Sequence, residues 1–174
     1  MNGPDRRARF ESLYGAHASA VARYARRRSD ADTAADVVSD VFVVAWRRLE
    51  EVPDDALPWL LGCARRVLWH QQRAARRRSR LLERLTASAP PVVVSLELPN
   101  RVLAQGLAAL SDRDREALLL TAWEGLSTDQ AAMVVGCSPQ AFRVRSHRAR
   151  QRLTAALRAI DQSDEVSSML EVCE

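Results

Sequence analysis

Phe10, Leu13, Tyr14, His17, Val21 and Tyr24 recur through the first block of the chain mostly at steps of three and four. That spacing lines up one face of an α-helix. Ser29-Asp-Ala-Asp-Thr33 then offers side-chain oxygens to cap a second helix. Val37, Val38, Val41, Phe42, Ala45 and Leu49 fall along one side of it. Pro53 and Pro58 interrupt the pattern, and Pro58 suits the first turn of a third helix, where its missing N–H is not needed. At about 100° per residue, Leu60, Leu61, Ala64, Val67, Leu68 and Ala75 share one arc of that helix. Arg66, His70, Arg73 and Arg77 share the opposite arc, with Trp59 above them and Trp69 at their edge.

The pattern breaks between Thr86 and Asn100, where Pro90, Pro91 and Pro99 exclude a continuous helix. Val92–Val94 has strand character but no neighbour to pair with, so the segment reads as an extended linker. A second patterned block runs from about Arg101 to Ile160 and is more heavily punctuated. Ser111-Asp-Arg-Asp114 resembles a capping box opening a helix through Leu118, Leu119, Leu120 and Trp123, and Gly125 suits its end. Ser127-Thr-Asp-Gln130 is a second capping box, followed by Ala131, Ala132, Val134 and Val135, with Gly136 closing the short helix. Ser138-Pro139 restarts the chain as an N-cap with proline behind it. The last helix turns Phe142 and Leu153 inward and carries Arg143, Arg145, Arg148, Arg150 and Arg152.

These elements predict an all-α protein of two small helical domains. The expected boundaries are 1–85 for the first domain, 86–100 for the linker, 101–160 for the second domain and 161–174 for an acidic, disordered tail. Composition agrees, since Ala, Leu and Arg are good helix formers and only 5% of residues are aromatic. The net charge is +4, and all 26 basic residues are Arg. Their clusters at Arg26–Arg28, Arg65–Arg84 and Arg143–Arg152 fit a nucleic-acid partner better than a membrane. Cys63, Cys137 and Cys173 form no CxxC pair, and His17 has no second ligand at metal spacing. No cofactor or metal is expected, Cys63 reads as a structural thiol, and the absence of a signal core or membrane-length run points to the cytoplasm.

Two constellations carry chemistry. The short helix, Gly-containing turn and Arg-rich helix form a helix-turn-helix, whose second helix can enter a major groove and reach base edges with its first residues. Ser138, Gln140, Arg143, Arg145, His147 and Arg148 are the residues placed at duplex DNA. The third-helix face interleaves Arg with aromatic rings, which suits single-stranded DNA because cations follow phosphates and rings stack on unpaired bases. On composition alone, though, Trp59 and Trp69 read first as cover for the edge of the core. An enzyme is disfavoured, because no Gly-rich phosphate loop, metal-ligand cluster or nucleophilic triad spacing is present.

Asp36-Val-Val-Ser-Asp-Val-Phe-Val-Val-Ala-Trp-Arg-Arg-Leu49 resembles region 2.2 of the sigma-70 family of RNA polymerase sigma factors. Pro58-Trp-Leu-Leu-Gly-Cys-Ala-Arg-Arg-Val-Leu68, running into Arg73–Arg80, resembles regions 2.3 and 2.4. Leu110–Leu118 is similar to region 4.1, and Leu126 through Leu153 to region 4.2. The order and separation are those of the extracytoplasmic-function group, and the resemblance covers about residues 10–158. It implies a promoter-specificity subunit whose second helix docks on the clamp helices of the largest polymerase subunit, with Asp36, Asp40, Phe42, Trp46 and Arg47 at or beside the contact. It implies recognition of the melted −10 element by Trp59, Arg65, Arg66, Trp69, His70, Arg73, Arg76 and Arg77, and of the duplex −35 element by the helix-turn-helix. The C-terminal domain is expected to meet the polymerase flap, and an anti-sigma protein is a further expected partner.

Departures from the family pattern fall on the DNA-facing residues. Many members have Ala-Arg-Asn where Ala64-Arg65-Arg66 stands, Asp or Asn in place of His70, and a small-residue pair in place of Pro139-Gln140. The promoter sequence therefore does not follow from the resemblance. A helix-turn-helix regulator that never joins the polymerase is the alternative, but it leaves the acidic and aromatic side of the second helix without a purpose.

Overall fold

A computed structural model describes residues 3–83 and 101–171, with side chains from 4 to 74 and from 101 to 162. The expected 86–100 linker and the side chains of Arg76 and Arg77 lie outside the described residues. Within them the chain is helical, with no strand. It forms two compact units, the first built on three helices and the second on α4, α5, α7 and most of α6.

The first unit consists of α1 (Gly3–Arg26), α2 (Ala31–Arg47) and α3 (Ala56–Glu83), with a 3-10 turn at Leu49–Glu51 behind α2. Each of the three helices packs on the other two. Val21, Tyr24, Val37, Val41, Leu60 and Ala64 meet in the centre with no exposed surface. Tyr24 is covered by the Arg28 guanidinium, 3.6 Å from the ring centroid. Asp30, within the expected capping stretch, opens α2: its carboxylate accepts from the Thr33 N–H at 2.8 Å and the Thr33 hydroxyl at 2.9 Å. These bonds hold the exposed Asp30 carboxyl below its ordinary value.

α1 starts at Gly3, ahead of the Phe10 where the apolar stripe begins. Its added turns have a tertiary role. Arg6 Nη2 donates to the Trp46 carbonyl at 2.6 Å and Arg9 Nη2 to the Val52 carbonyl at 2.9 Å. Both acceptors lie at or just beyond the end of α2, where backbone carbonyls lack helical partners. The apolar stripe of α1 is not uniformly core. Val21 and Tyr24 are fully buried, whereas Tyr14 is 47% exposed. Val38 and Val67, expected in the core, are half-buried.

The second unit holds α4 (Arg101–Ala108), α5 (Asp112–Ala122), α7 (Pro139–Glu171) and all but the last two residues of α6 (Thr128–Val135). α7 packs against both α4 and α5. Ser127 and Gln130 form the reciprocal capping box: Ser127 Oγ accepts from the Gln130 N–H at 3.2 Å, and Gln130 Oε1 accepts from the Ser127 N–H at 2.9 Å. Gly136, at φ +71°, turns the chain out of α6 while the Cys137 N–H returns to the Ala132 carbonyl. A side chain would be strained there. Ser138 Oγ then accepts from the Ala141 N–H at 3.2 Å, capping α7 behind Pro139.

α4 lies in a stretch for which no separate helix was expected, although Leu103, Leu107 and Leu110 recur in it at steps of four and three. It is held by Arg115 of α5, whose guanidinium donates to the carbonyls of Leu107 (2.8 Å), Ala108 (3.0 Å) and Leu110 (3.0 Å). Gly106 lets it approach α7 closely, since a Cβ at that position would lie 2.7 Å from Leu157 Cδ2. α7 also departs from expectation, because it continues through Glu171 rather than stopping near Ile160. No proline or glycine occurs in 161–171 to end it. The expected disordered tail is thus helical as far as Glu171.

Candidate nucleic-acid interfaces

The outward side of α2 is acidic and apolar together. Asp36, Asp40, Val43 and Arg47 fall within about 60° of one another around the helix, and all four are exposed. Neither aspartate forms an ion pair or side-chain hydrogen bond among the described residues. Val43 is 49% exposed and Trp46 39%. Trp46 is nevertheless fixed in place: the Phe10 ring meets it nearly perpendicularly at 5.1 Å, and the Arg6 guanidinium lies 5.1 Å from its centroid. Such a ring is preorganised for contact while keeping an open face.

Phe42 does not belong to that surface. It is only 4% exposed, with the Tyr14 ring 4.7 Å and the Phe10 ring 6.2 Å away. The resemblance sets Phe42 at or beside the docking contact; its side chain packs under α1, beneath the exposed face. Val43, which the spacing did not mark, and Tyr14, which it set on the apolar stripe of α1, are the exposed side chains nearby. The helical wheel puts Val43 near the pole opposite Val41 and Ala45, and that offset is the signal that would have found it.

On α3 the expected single-strand face divides in two. Trp69, His70 and Arg73 form one exposed cluster, in which the Trp69 and His70 rings meet at 5.2 Å and the Arg73 guanidinium lies 5.1 Å from the Trp69 centroid. Trp69 is 51% exposed, so it does not merely cover the core. Arg66 is exposed one turn earlier, with Nε donating to the Gly62 carbonyl at 3.1 Å. Arg65 is half-buried. Trp59 stands apart near the start of the helix, half-buried, with the Arg48 guanidinium 5.9 Å from its centroid. Cys63 is buried; burial pushes its thiol up, only partly offset by Arg66 and Arg48. A thiol so placed is unreactive.

On α7, Ser138, Gln140, Arg143, His147 and Arg148 are exposed and Arg145 is half-buried. Gln140 Oε1 accepts from Arg143 Nη1 at 3.3 Å, and the Ser138 hydroxyl is occupied as the helix cap. Phe142 and Ala149, on the reverse side, have no exposed surface. The helix thus presents a cationic face over an apolar back, the form that major-groove entry requires.

Asp114 locks this helix to α5. It is 5% exposed, accepts from Ser111 Oγ at 2.9 Å, and is ion-paired with Arg152 of α7. Burial pushes its carboxyl up, but Ser111, Arg152 and Arg145 outweigh that and hold it below the ordinary 3.8. A carboxyl depressed by folding contributes stability that is complete above its unfolded value, near pH 4, and is lost as pH falls through the lower folded value. The second unit is therefore expected to lose this contribution to its stability below about pH 4, with Asp114→Asn removing that part of the acid dependence. Chemical denaturation at stepped pH measures this, and identical acid slopes in the two proteins would refute it.

Among the described residues no helix is long and apolar enough to cross a membrane, and no cluster of metal-ligating side chains occurs. The chain matches the family described as Sigma-70 region 2 over residues 13–78 and that described as Sigma-70, region 4 over residues 100–153. The ECF RNA polymerase sigma factor SigL of Mycobacterium tuberculosis is 31% identical over 161 residues, covering 88% of this chain and 91% of its own length. Among solved structures, the sigma factor RpoE from Bartonella quintana, in complex with the anti-sigma factor NepR, superposes with a TM-score of 0.67. It is 27% identical and covers 86% of this chain and 96% of its own. CnrH, in complex with the cytosolic domain of CnrY, gives a TM-score of 0.60 at 32% identity, covering 86% of this chain and 88% of its own. The chain belongs to the sigma-70 family, as a sigma factor of the extracytoplasmic-function group that binds RNA polymerase and gives it promoter specificity. A free-standing helix-turn-helix regulator would leave the region 2 match unexplained.

Proposed function

We propose that the two units divide promoter recognition between them, with α2 fastening the first unit to the polymerase. Asp36, Asp40, Trp46 and Arg47, joined by Val43, meet the clamp helices of the largest subunit. Trp69, His70 and Arg73 receive unpaired bases and phosphates of the −10 element, with Arg65, Arg66, Trp59, Arg76 and Arg77 along the same strand path. Gln140, Arg143, Arg145, His147 and Arg148 enter the −35 major groove, where Arg bonds guanine or phosphate and Gln is suited to adenine. In this division residues 1–85 form the first module, 86–100 the tether and 101–160 the second module, which also meets the polymerase flap.

The carrying observation is the Trp69–His70–Arg73 cluster. A half-exposed indole with a cation beside it and a second aromatic ring at its edge suits stacking on a flipped or melted base. Each unit alone binds DNA weakly, and assembly on the polymerase makes the second contact effectively intramolecular. The role is regulatory and cytoplasmic, with no reaction of its own. Because RpoE and CnrH were each solved with a partner protein, we also assign this chain an anti-sigma partner covering the same faces.

Reconstitution with core RNA polymerase on a library of genomic fragments tests the reading. Discrete new start sites that depend on this chain are expected, together with weak DNA binding by the chain alone. Tight, sequence-specific binding without polymerase, or no new start sites with it, would overturn the proposal.

A further inference from the structure

Over its first three turns α7 exposes Gln140, Ala141, Arg143, Val144, His147 and Arg148. Val144 is the one large apolar side chain of that set and is 41% exposed. At about 100° per residue, Gln140, Val144 and His147 lie within roughly 60° of one another, with Arg143 on one flank and Arg148 on the other. Val144 therefore stands within the face, between Gln140 and Arg148, and not at its margin. With Ala141 it supplies the apolar part of a shallow groove otherwise lined by polar and charged groups, including Ser138, Gln140, Arg145 and Arg148.

Valine is an unfavourable choice for a solvent-facing helical position. Its branched Cβ lowers helix propensity relative to Ala, Leu or Arg, and its methyls gain nothing until another surface covers them. An apolar side chain cannot bond a phosphate or a base heteroatom. The major groove offers one apolar protrusion that a side chain of this size can cover, the C5-methyl of thymine. We propose that Val144 is a specificity-determining residue that reads a thymine methyl in the −35 duplex, while its polar neighbours bond heteroatoms and phosphates. This rests on α7 being the −35 recognition helix.

The test uses holoenzyme assembled from core polymerase and the full chain, selecting from promoters with a fixed −10 element and a randomised −35 duplex. Wild type is expected to prefer thymine, on one strand or the other, at one position where Val144→Ala shows a preference about fourfold weaker, the effect of one buried methyl. Replacing that thymine by deoxyuridine, which removes only the methyl, is expected to weaken wild-type binding about fourfold and to leave Val144→Ala unchanged. Alanine is the better helix former, so the variant keeps its fold. The proposal is overturned if wild type tolerates deoxyuridine at every preferred thymine, or if Val144→Ala weakens all duplexes equally. If the holoenzyme selects no −35 sequence at all, the assignment of α7 fails first and this inference with it.

Discussion

Phe142→Ala is expected to unfold the second unit at growth temperature, abolishing −35 selection instead of weakening it. Phe142 has no exposed surface, and removing a phenyl ring from such a place costs about 3–5 kcal/mol. A helical unit of this size rarely holds more than about 3–5 kcal/mol in reserve, so the loss takes all or most of it. The position aggravates the effect. The Phe142 N–H donates to the Ser138 carbonyl at 3.0 Å in the capped first turn of α7, so the ring is the first large side chain fastening the recognition helix after the turn. Arg143→Ala, one residue on and exposed, is the control: it should keep the fold and lose only DNA affinity, by about 1–3 kcal/mol if Arg143 bonds a base. Hydrogen exchange separates the two cases, with amides of α5 and α7 losing protection in Phe142→Ala while those of α1 to α3 keep theirs. Full protection of α7 in that variant would show that the unit has more reserve than its core suggests.

What the sequence disclosed, and what it withheld, follows from the range of the interactions. The Ser127–Gln130 box, the Gly136 turn and the Ser138-Pro139 restart join residues only a few positions apart, so the chemistry of each is complete within its own segment. The helix-turn-helix was legible for that reason. Apolar spacing set Phe42 on the inner side of α2, where it is buried; its place at or beside the docking contact came from the family resemblance alone, which does not say which neighbour covers a side chain. Phe42 and Trp46 lie on the same side of α2, and only the path of α1 decides that Phe10 and Tyr14 bury one while the other stays open. The early start of α1 depends on Arg6 and Arg9 reaching carbonyls at Trp46 and Val52. α4 depends on Arg115, and Asp114 meets Arg152 from a different helix. No local pattern reports such pairings.

Reversing both exposed aspartates of α2, in Asp36→Arg/Asp40→Arg, is expected to weaken association with core polymerase at least about 100-fold, since close interfacial charge pairs couple by about 1.5–7 kcal/mol. Fold stability should hardly change, as neither carboxylate pairs within the described protein and surface substitutions of this kind usually stay within about 0.5 kcal/mol. That combination distinguishes a docking surface from a structural one. Phe42→Ala would also reduce polymerase binding, but by loosening the packing of α1 on α2, and its melting temperature would fall along with its affinity. The double reversal should additionally alter the salt dependence: if the aspartates meet cationic groups, wild-type association slows as ionic strength rises, and the variant loses that slope or inverts it. Trp46→Ala should behave differently again, shortening the lifetime of the complex with little effect on the salt slope, because a fixed indole contributes packing and not steering. Equilibrium binding to core enzyme at two salt concentrations, alongside thermal melts, reads all of these at once. An Asp36→Arg/Asp40→Arg protein that binds polymerase as wild type does would remove α2 from the contact and leave its acidic, apolar outer face unexplained.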